Sequence, residues 1–467
     1  MKKRTGIIPY QTTLYETSTG RIIPRSDWTT YPGTLDLEEI CVFAACGFFL
    51  GNASYYKELK AIPPASEYDD NDGIVSNIKP YFKWNYQPRE ISLQQATNEF
   101  TEIFNRVVQQ GVAGKKVILP LSGGLDSRSL AAALKAHSPL YSYSYGYKNG
   151  VPETQYSKQI ADAENFPFQG FEIGDNYLWK KIDFLSDILQ NYSEFTHPRQ
   201  MAVYDELKGK GDLFVLGHWG DVLFDGMGMK DDASFEEMVD ALFKKVLKKG
   251  GKELGEDLWN HWNLPGSFSV YLRDRLSSLL AEIEINNPNA RIRAFKSLHW
   301  ASRWTNSSLY IFHTISPIFV PYFEDELCQF ITTVPEKWLN ARQIQIEYLK
   351  ENAPELAQIH WQKYPGRNLF NYPSFHAWWF KPVRLAKKMQ RKFSKTPLIQ
   401  RNWELQFLGE ENKKFLHERI YHPTFNQWIP QKLVEPFFEK FTQNGVKFSH
   451  PLSILLTLSS FWKKKNA

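Results

Sequence analysis

The chain has 467 residues, of which 42% are hydrophobic and 15% aromatic, with a formal net charge of +5 at pH 7. This length predicts two or three domains with large apolar cores, which excludes a disordered chain. So small a charge gives no reason to expect a nucleic-acid partner. The three cysteines, Cys41, Cys46 and Cys328, lack paired spacing, so we predict no disulfide framework and a reducing compartment.

Neither a signal peptide nor a membrane span is predicted from the sequence. Basic side chains occupy residues 2–4, but no apolar segment follows them as it would in a signal peptide. The longest apolar run, Ile40–Leu50, is too short to cross a bilayer as a helix. We therefore expect a cytoplasmic protein.

Residues 116–136 carry the most informative pattern in the chain. The run Val117–Leu121 is short and apolar, which predicts a buried strand. A Ser-Gly-Gly turn follows, and the apolar spacing over Leu125–Ala136 predicts a helix. A strand that enters a helix through glycines directs backbone N–H groups toward an anion. We therefore predict a nucleotide-phosphate site formed by Leu121, Ser122, Gly123, Gly124, Leu125, Asp126 and Ser127.

The sequence SGGLDS at residues 122–127 resembles the pyrophosphate loop of the ATP pyrophosphatases, and in particular the synthetase domain of asparagine synthetases. It is not a Walker A loop, because the lysine and the glycine spacing of that motif are absent. A structural alternative is a tight Gly-Gly turn capped by a serine. The resemblance implies that ATP and Mg²⁺ are the cofactors, with Asp126 as one metal ligand.

The resemblance also implies an α/β fold, with a doubly wound and mostly parallel sheet and a helical C-terminal extension. We expect a truncated, β-rich, glutaminase-like region over residues 1–92 and a synthetase domain over residues 93–467. Within the synthetase domain, the α/β core is expected at about residues 115–230 and the helical part at about residues 231–467.

The segments around the loop predict alternating strands and helices. Leu93–Gln110 and Glu153–Ala161 have helical spacing, whereas Leu140–Tyr147 and Phe168–Ile173 have strand patterns. This alternation predicts a parallel sheet whose ligand lies beyond the carboxyl ends of the strands. The resemblance implies that adenine contacts the backbone of Tyr145 and Gly146, although the Tyr145 side chain is equally well explained as a packed aromatic.

A second motif spans Leu213–Gly228, where an apolar strand is followed by glycines and an aspartate. The resemblance implies that Leu216 and Gly217 lie at the nucleotide and that Asp221 is the second Mg²⁺ ligand. The alternative for Asp221 is a helix cap.

Val222 stands where the family has a glutamate that helps to deprotonate or position the attacking amine. Asp225 and His218 are the candidates to replace this base. Each side chain is also explained as a capping or solvated group.

A third block spans His299–Lys363, and from Pro321 onward it resembles the family pattern of a proline-aromatic-acidic segment, a leucine-proline turn and a basic loop. Lys363 corresponds to the lysine that, in the family, reaches the ATP phosphates. A cation is useful there because negative charge develops as pyrophosphate leaves. The alternative for Lys363 is a solvent-facing side chain.

The N-terminal region resembles only the last part of a glutaminase domain, over about residues 40–90. That domain requires an N-terminal cysteine as nucleophile, but position 2 is Lys2 and Cys41 is the first cysteine. We therefore predict that the protein does not hydrolyse glutamine. A strand is predicted at Tyr81–Trp84.

The resemblance implies an amide-forming ligase that activates a carboxylate as acyl-AMP. The carboxylate would belong to a small molecule, a peptide or a glycan, and the nucleophile would be ammonia or an amine, with a separate protein as one source of the ammonia. The rival functions are lactam formation and degenerate nucleotide binding. A tRNA-modifying enzyme is disfavoured, since no Cys-x-x-Cys pair is present. The basic segment Lys381–Arg401 predicts a solvated helix face or, alternatively, contact with a membrane surface or an acidic partner.

Overall fold

The computed structural model describes residues 1–364, 366–376, 399–444 and 447–467. Of the predicted basic segment Lys381–Arg401, residues 381–398 lie outside the described residues. The described strands are β1 Lys2–Arg4, β2 Leu14–Glu16, β3 Ile22–Ile23, β4 Leu59–Ala61, β5 Ser66–Asn71, β6 Ile74–Pro80, β7 Val117–Pro120, β8 Leu140–Tyr147, β9 Phe168–Ile173, β10 Leu213–Val215 and β11 Ile318–Phe319.

The described helices of the first two hundred or so residues are α1 Leu37–Cys46, α2 Leu93–Val112, α3 Leu125–Ala133, α4 Glu153–Ala163, α5 Tyr177–Leu189 and α6 Gly220–Leu223. The central helices are α7 Phe235–Val246, α8 Gly251–His261, α9 Phe268–Ala281, α10 Pro288–Lys296, the π-helical stretch Ser297–Thr305, and α11 Asn306–His313. The later helices are α12 Asp325–Ile331, α13 Glu336–Leu339, α14 Gln343–Asn352, α15 Pro354–Gln358, α16 Asn402–Gln406, α17 Glu410–Ile420, α18 Pro423–Trp428, α19 Gln431–Asn444 and α20 Ser449–Lys465.

Five parallel strands form the central sheet, in the order β11-β10-β7-β8-β9. This confirms the predicted α/β fold. From β7 the chain runs to β8 and β9 on one side of the sheet and then returns to β10 and β11 on the other. The loops after β7 and β10 therefore diverge at a topological switch point, which is where open parallel sheets bind their ligands.

Strand β7 lies at the centre because its side chains are apolar on both faces. Val117, Ile118 and Leu119 are fully buried, as expected of a strand covered by helices on both sides. The predicted boundaries of β8 and β9 agree with the structure, and the predicted helices at Leu93 and Glu153 are α2 and α4.

The N-terminal region forms two small antiparallel sheets, β1-β5-β6 and β3-β2-β4. The predicted strand at Tyr81–Trp84 is wrong, because the ladder ends with β6 at Pro80. The aromatic side chains of this segment turn instead toward the rest of the protein. Tyr81 donates a hydrogen bond to Asp325 Oδ2 at 2.9 Å, and Trp84 is buried.

Further polar contacts join the N-terminal sheets to the later helices. Thr12 Oγ1 donates to the Ser302 carbonyl at 2.8 Å, and Arg303 donates to the Ala53 carbonyl. Apolar side chains from both regions belong to one continuous core.

The three cysteines are buried and free, so the prediction of no disulfide framework is confirmed. Over the described residues, none of the helices has both the length and the apolar character that a membrane crossing would require.

Candidate active site

Hydrogen bonds between two serines fix the shape of the turn between β7 and α3. Ser127 Oγ donates to the Ser122 carbonyl at 3.1 Å and accepts from the Ser122 N–H at 3.1 Å. Gly124 precedes α3 in an extended conformation, and no side chain caps the helix there. The first N–H groups of α3 therefore lack a side-chain acceptor, which leaves them available to an anion.

Two glycines bring the loop after β10 against this turn. A Cβ atom at Gly217 would lie 3.1 Å from the Ser127 nitrogen, and one at Gly220 would collide with Asp126 Oδ1. Only a residue without a side chain allows so close an approach. Asp221, the next residue, is thereby carried to the same edge of the sheet as Asp126.

Asp126 lies in a network of side chains from the segment after β11. Its Oδ1 atom forms an ion pair with Arg342 and accepts from Gln345 Nε2 at 3.1 Å. Gln345 also donates to the Tyr322 hydroxyl at 3.0 Å. Burial raises the pKa of Asp126; the Arg342 guanidinium opposes that shift and the negative charge of Asp221 adds to it.

The turn that delivers Arg342 is strained. Ala341 and Arg342 have φ values of 56° and 63°, which non-glycine residues seldom adopt. Asp225 Oδ1 accepts from the Ala341 N–H at 2.9 Å and from the Gly226 N–H at 2.8 Å. These contacts favour the capping interpretation of Asp225 over its predicted role as a base.

Arg293 fixes the other side of the same segment. It is buried, forms a two-point ion pair with Glu336, and donates to the carbonyls of Val222 at 3.2 Å and Asp225 at 2.9 Å. The backbone that follows Asp221 is therefore held rigidly, with the Val222 side chain 3% exposed.

Two adjoining cavities of about 200 and 300 Å³ lie along the carboxyl ends of β7 and β8. They share Tyr145, Glu153 and Arg199, and we call them together the nucleotide cleft. Of the predicted site residues, those that line the cleft are Leu121, Ser122, Gly124, Asp126, Ser127, Tyr145, Gly146 and Gly217. The cleft therefore brings together residues from three separate motifs of the sequence.

The remaining predicted residues lie around the cleft. Leu125 and Leu216 are fully buried in the core, and Gly123 faces Gln362, whose Cβ would lie 2.9 Å from a Cβ at that glycine. Lys363 is exposed, with its ammonium nitrogen 5.6 Å from the centroid of the Trp361 ring. It lies beside the loop but does not belong to the described residues that line the cleft.

A third cavity, of about 470 Å³, adjoins the cleft and shares Asp126, Gly217 and His218 with it. We call it the acceptor cavity. Its lining residues are Asp126, Gly217, His218, Trp219, Asp221, Val222, Lys245, Lys296, Trp300, Trp304, Thr305 and Arg342. His218 lies where the two spaces meet, and burial lowers its pKa to about 4, so its imidazole is neutral at pH 7.

Arg199 and Glu153 are cleft residues that the sequence analysis missed. Arg199 Nε donates to the Tyr145 hydroxyl at 3.4 Å, and the neighbouring tyrosines raise the pKa of Arg199. Burial raises the pKa of Glu153. Arg199 follows no motif, so the sequence offers no signal for it, whereas Glu153 opens a helix that was predicted.

Arg128 was also missed, although it directly follows the SGGLDS motif. Its fully buried guanidinium donates to four backbone carbonyls, those of Gly123, Leu356, Ile359 and His360. Burial lowers its pKa to about 10, so it stays charged at pH 7. Arg128 thereby ties the phosphate loop to the segment that leads to Lys363.

A larger cavity, of about 670 Å³, lies between α5 and the C-terminal helices. It shares no lining residue with the cleft or the acceptor cavity. Its large volume is therefore not evidence that it belongs to the candidate site at the carboxyl edge of the sheet.

A sequence model of the asparagine synthase family matches residues 99–397. The match covers more than half of the chain and includes the phosphate loop, the whole parallel sheet and both aspartates. A search of curated proteins returns no significant match. The chain therefore belongs to the asparagine synthase family, a family of ATP-dependent amide-forming ligases.

Proposed function

We propose that the protein couples cleavage of ATP to AMP and pyrophosphate with formation of an amide from a carboxylate and ammonia or an amine. The observation that carries this proposal is the continuity of two spaces at the switch point of the sheet. The nucleotide cleft contains the phosphate loop, and it opens past Asp126 and His218 into a separate acceptor cavity. An enzyme that joins a nucleotide to a second substrate requires such an arrangement.

In this proposal the triphosphate lies over residues 122–127, against the uncapped N–H groups of α3 and the hydroxyls of the two serines. The adenosine occupies the part of the cleft beside Tyr145, Gly146 and Arg199. Support comes from the position of that part of the cleft at the end of β8, next to the loop in the sheet.

Asp126 and Asp221 are the residues that would hold Mg²⁺, which would neutralise charge on the phosphates. The donor set fits a hard cation, because both carboxylates line one cavity and the charge of Asp221 raises the pKa of Asp126. Within the described ranges there is no cluster of three or more His, Cys, Asp or Glu suited to a metal. Phosphate oxygens and water would therefore complete the coordination, as is usual for Mg²⁺.

The reaction proceeds in two displacements. A carboxylate oxygen attacks the α-phosphorus, the bond from this phosphorus to the bridging oxygen of pyrophosphate breaks, and an acyl-adenylate forms. The nitrogen of ammonia or an amine then attacks the acyl carbon, the bond to AMP breaks, and the nitrogen loses a proton. We assign stabilisation of the phosphate charge in the first step to Arg342, which lines the acceptor cavity beside Asp126, and not to Lys363, which lies outside the cleft lining.

We assign the proton acceptor of the second step to His218. It lies where the cleft meets the acceptor cavity, its imidazole is neutral, and its Nδ1 atom has no hydrogen-bond partner in the described part of the chain. Asp225 is the weaker candidate because its Oδ1 atom already accepts two backbone hydrogen bonds.

Glutamine is not the nitrogen source of this chain in the proposal. The three cysteines, Cys41, Cys46 and Cys328, are all buried, and burial raises the pKa of the Cys41 thiol, so the proposal assigns none of them as the nucleophile that glutamine hydrolysis requires. Ammonia must then come from solution or from another protein, or a substrate amine takes its place.

A pyrophosphate-exchange screen over carboxylates with Mg-ATP tests the proposal. A positive acid should support exchange and, with hydroxylamine as the nucleophile, yield its hydroxamate and AMP. Asp126→Ala should abolish exchange, while Asp162→Asn, which changes an exposed partner of Lys158, should leave it intact. Unchanged exchange in Asp126→Ala would refute the metal assignment.

One observation favours a second function, nucleotide binding without catalysis. Val222 replaces the family glutamate and is almost fully buried. In that case ATP would raise the melting temperature, but no acid in the screen would support exchange.

A further inference from the structure

Three tryptophans form the wall of the acceptor cavity opposite the phosphate loop. Trp300 and Trp304 come from the π-helical stretch Ser297–Thr305, and their rings are 6.4 Å apart and nearly perpendicular. Trp219 is fixed by a hydrogen bond from its indole nitrogen to Ser297 Oγ at 3.2 Å. Irregular helical turns of this kind are frequent at functional sites. One face of two of these rings is already covered, because Trp300 stacks on Phe48 with centroids 5.1 Å apart and Trp304 stacks on His197 at 3.9 Å. The sides of the rings that line the cavity form an aromatic surface beside the proposed position of the reacting phosphate.

Two lysines, Lys248 and Lys296, lie against the same rings. The Lys248 ammonium nitrogen is 5.5 Å from the Trp300 ring centroid and 5.4 Å from that of Trp304. The Lys296 ammonium nitrogen lies 5.6 Å from the Trp219 ring centroid and 5.8 Å from that of Trp300. Lys245 also lines the cavity. Because these lysines have no carboxylate partner among the described ion pairs, they are available to an anionic ligand.

Acidic groups are scarce in the cavity. The acidic residues among its described lining are Asp126 and Asp221, which the proposed function assigns to Mg²⁺. An α-amino acid would bring an ammonium group into the cavity, and a buried ammonium requires a carboxylate partner. The lining therefore disfavours free amino acids, although it favours an acid.

Two polar groups of the lining lack partners within the described residues. The Thr305 side chain is 3% exposed and its hydroxyl makes no hydrogen bond; the Nδ1 atom of His218 makes none either. Buried polar groups normally have a partner. A ligand with hydroxyl groups would supply one here.

We propose that the acceptor cavity binds a carboxylic acid carried on a six-membered ring and lacking an α-ammonium group. The ring packs against the sides of Trp300 and Trp304 that line the cavity, and Lys296 pairs with the acid. This inference rests on the proposed function, since it names the acid that the ligase would activate. A volume of about 470 Å³ is large enough for a ring substrate.

Isothermal titration of the full-length protein tests the inference without requiring turnover. The probes are glucuronate, cyclohexanecarboxylate, benzoate and L-aspartate, each added with and without Mg²⁺ and a non-hydrolysable ATP analogue. At least one ring acid should bind tenfold or more tightly than aspartate. Tighter binding of glucuronate identifies a hydroxylated ring acid, and tighter binding of the other two identifies an apolar or aromatic one.

Three variants test where the ring binds. Trp300→Ala and Trp304→Ala should each weaken binding of the preferred acid about tenfold. Trp262→Ala, which removes an indole stacked on Trp428 away from the cavity, should leave it unchanged. Circular dichroism confirms that each variant is folded.

Equal or tighter binding of aspartate would overturn the inference, as would binding of no acid, or ring-acid binding that is unaffected in both cavity variants. The proposed function is judged separately by AMP release. Ring-acid binding without AMP release would refute the ligase and leave the inference standing. AMP release with aspartate as the only active acid would support the ligase and refute the inference.

Discussion

The phosphate loop and the acceptor cavity adjoin each other at Asp126, Gly217 and His218, yet they are assembled in opposite ways. The loop is one continuous turn whose shape follows from glycines, two serines and a helix start. The acceptor cavity draws its lining from five separate segments, between residues 126 and 342. Local geometry therefore determines the loop that we propose binds the nucleotide, whereas long-range packing determines the cavity beside it.

The largest expected effect comes from filling the space between the two regions. Gly220→Ala would place a methyl group on Asp126 Oδ1, so the carboxylate must move. A displacement of ~1 Å at a reacting site lowers rates about 100-fold, and we expect pyrophosphate exchange to fall by that amount. Gly174→Ala, at a glycine with nothing within 4 Å of an added Cβ, serves as the matched control. Full exchange in Gly220→Ala would show that Asp126 does not need its present position.

A smaller effect is expected at the turn that holds Arg342. Asp225→Asn weakens the hydrogen bonds that restrain Ala341 and Arg342, so we expect kcat to fall about tenfold. Since Asp225 acts by position, the pH profile of kcat should keep its shape. Loss of the acidic-side limb, which arises where a base becomes protonated, would instead identify Asp225 as the base.

The acceptor cavity should respond to pH through Lys296. Burial lowers the pKa of Lys296 from 10.5 to about 8, with the charge of Asp221 opposing this shift and those of Lys245 and Arg293 adding to it. The ammonium is present below pH 8 and is lost as the pH rises. The KM for the acid should therefore rise about threefold to tenfold between pH 7 and 9.5.

Lys296→Met should show a raised KM that is flat over this range, because His218 is already neutral throughout it. Lys245→Met, at an exposed position of the same cavity, should keep the pH dependence. A flat profile in the unmodified protein would exclude Lys296 as the cation that contacts the acid.

The smallest expected effect lies furthest from the chemistry. Thr12→Val removes the hydrogen bond to the Ser302 carbonyl, which costs about 1 kcal/mol of folding stability. We expect the KM for the acid to rise about twofold while the KM for ATP is unchanged, because Ser302 lies between Trp300 and Trp304 in the π-helical stretch that carries the cavity wall and is not part of the loop. Steady-state kinetics with each substrate varied in turn provide the measurement, and an equal change in both constants would contradict it.

The same contrast explains how much could be predicted from the sequence. The strand, turn and helix at residues 117–133, and the boundaries of β8, follow from apolar spacing and glycine, which act over a few residues. The strand predicted at Tyr81–Trp84 failed because its aromatic side chains bury against later helices instead of entering a ladder.

The acceptor wall could not be predicted for a related reason. Trp300 and Trp304 look like ordinary core residues, and only tertiary packing sets them beside Trp219. Arg342 reaches Asp126 through two consecutive left-handed residues, Ala341 and Arg342 itself, a conformation that neither residue type favours. Asp225 had the right charge and spacing for a base, but backbone amides contact its carboxylate.

The hydrogen bonds that link Thr12 and Ala53 to the π-helical stretch have a consequence for engineering of the protein. Through these two hydrogen bonds the N-terminal sheets support the stretch that carries Trp300 and Trp304. Deletion of residues 1–80 should therefore not yield a smaller active enzyme, because it would remove the hydrogen bonds that support the wall of the acceptor cavity. Exchanging this segment between relatives, by contrast, offers a way to retune substrate choice without altering a single residue that contacts the ligand.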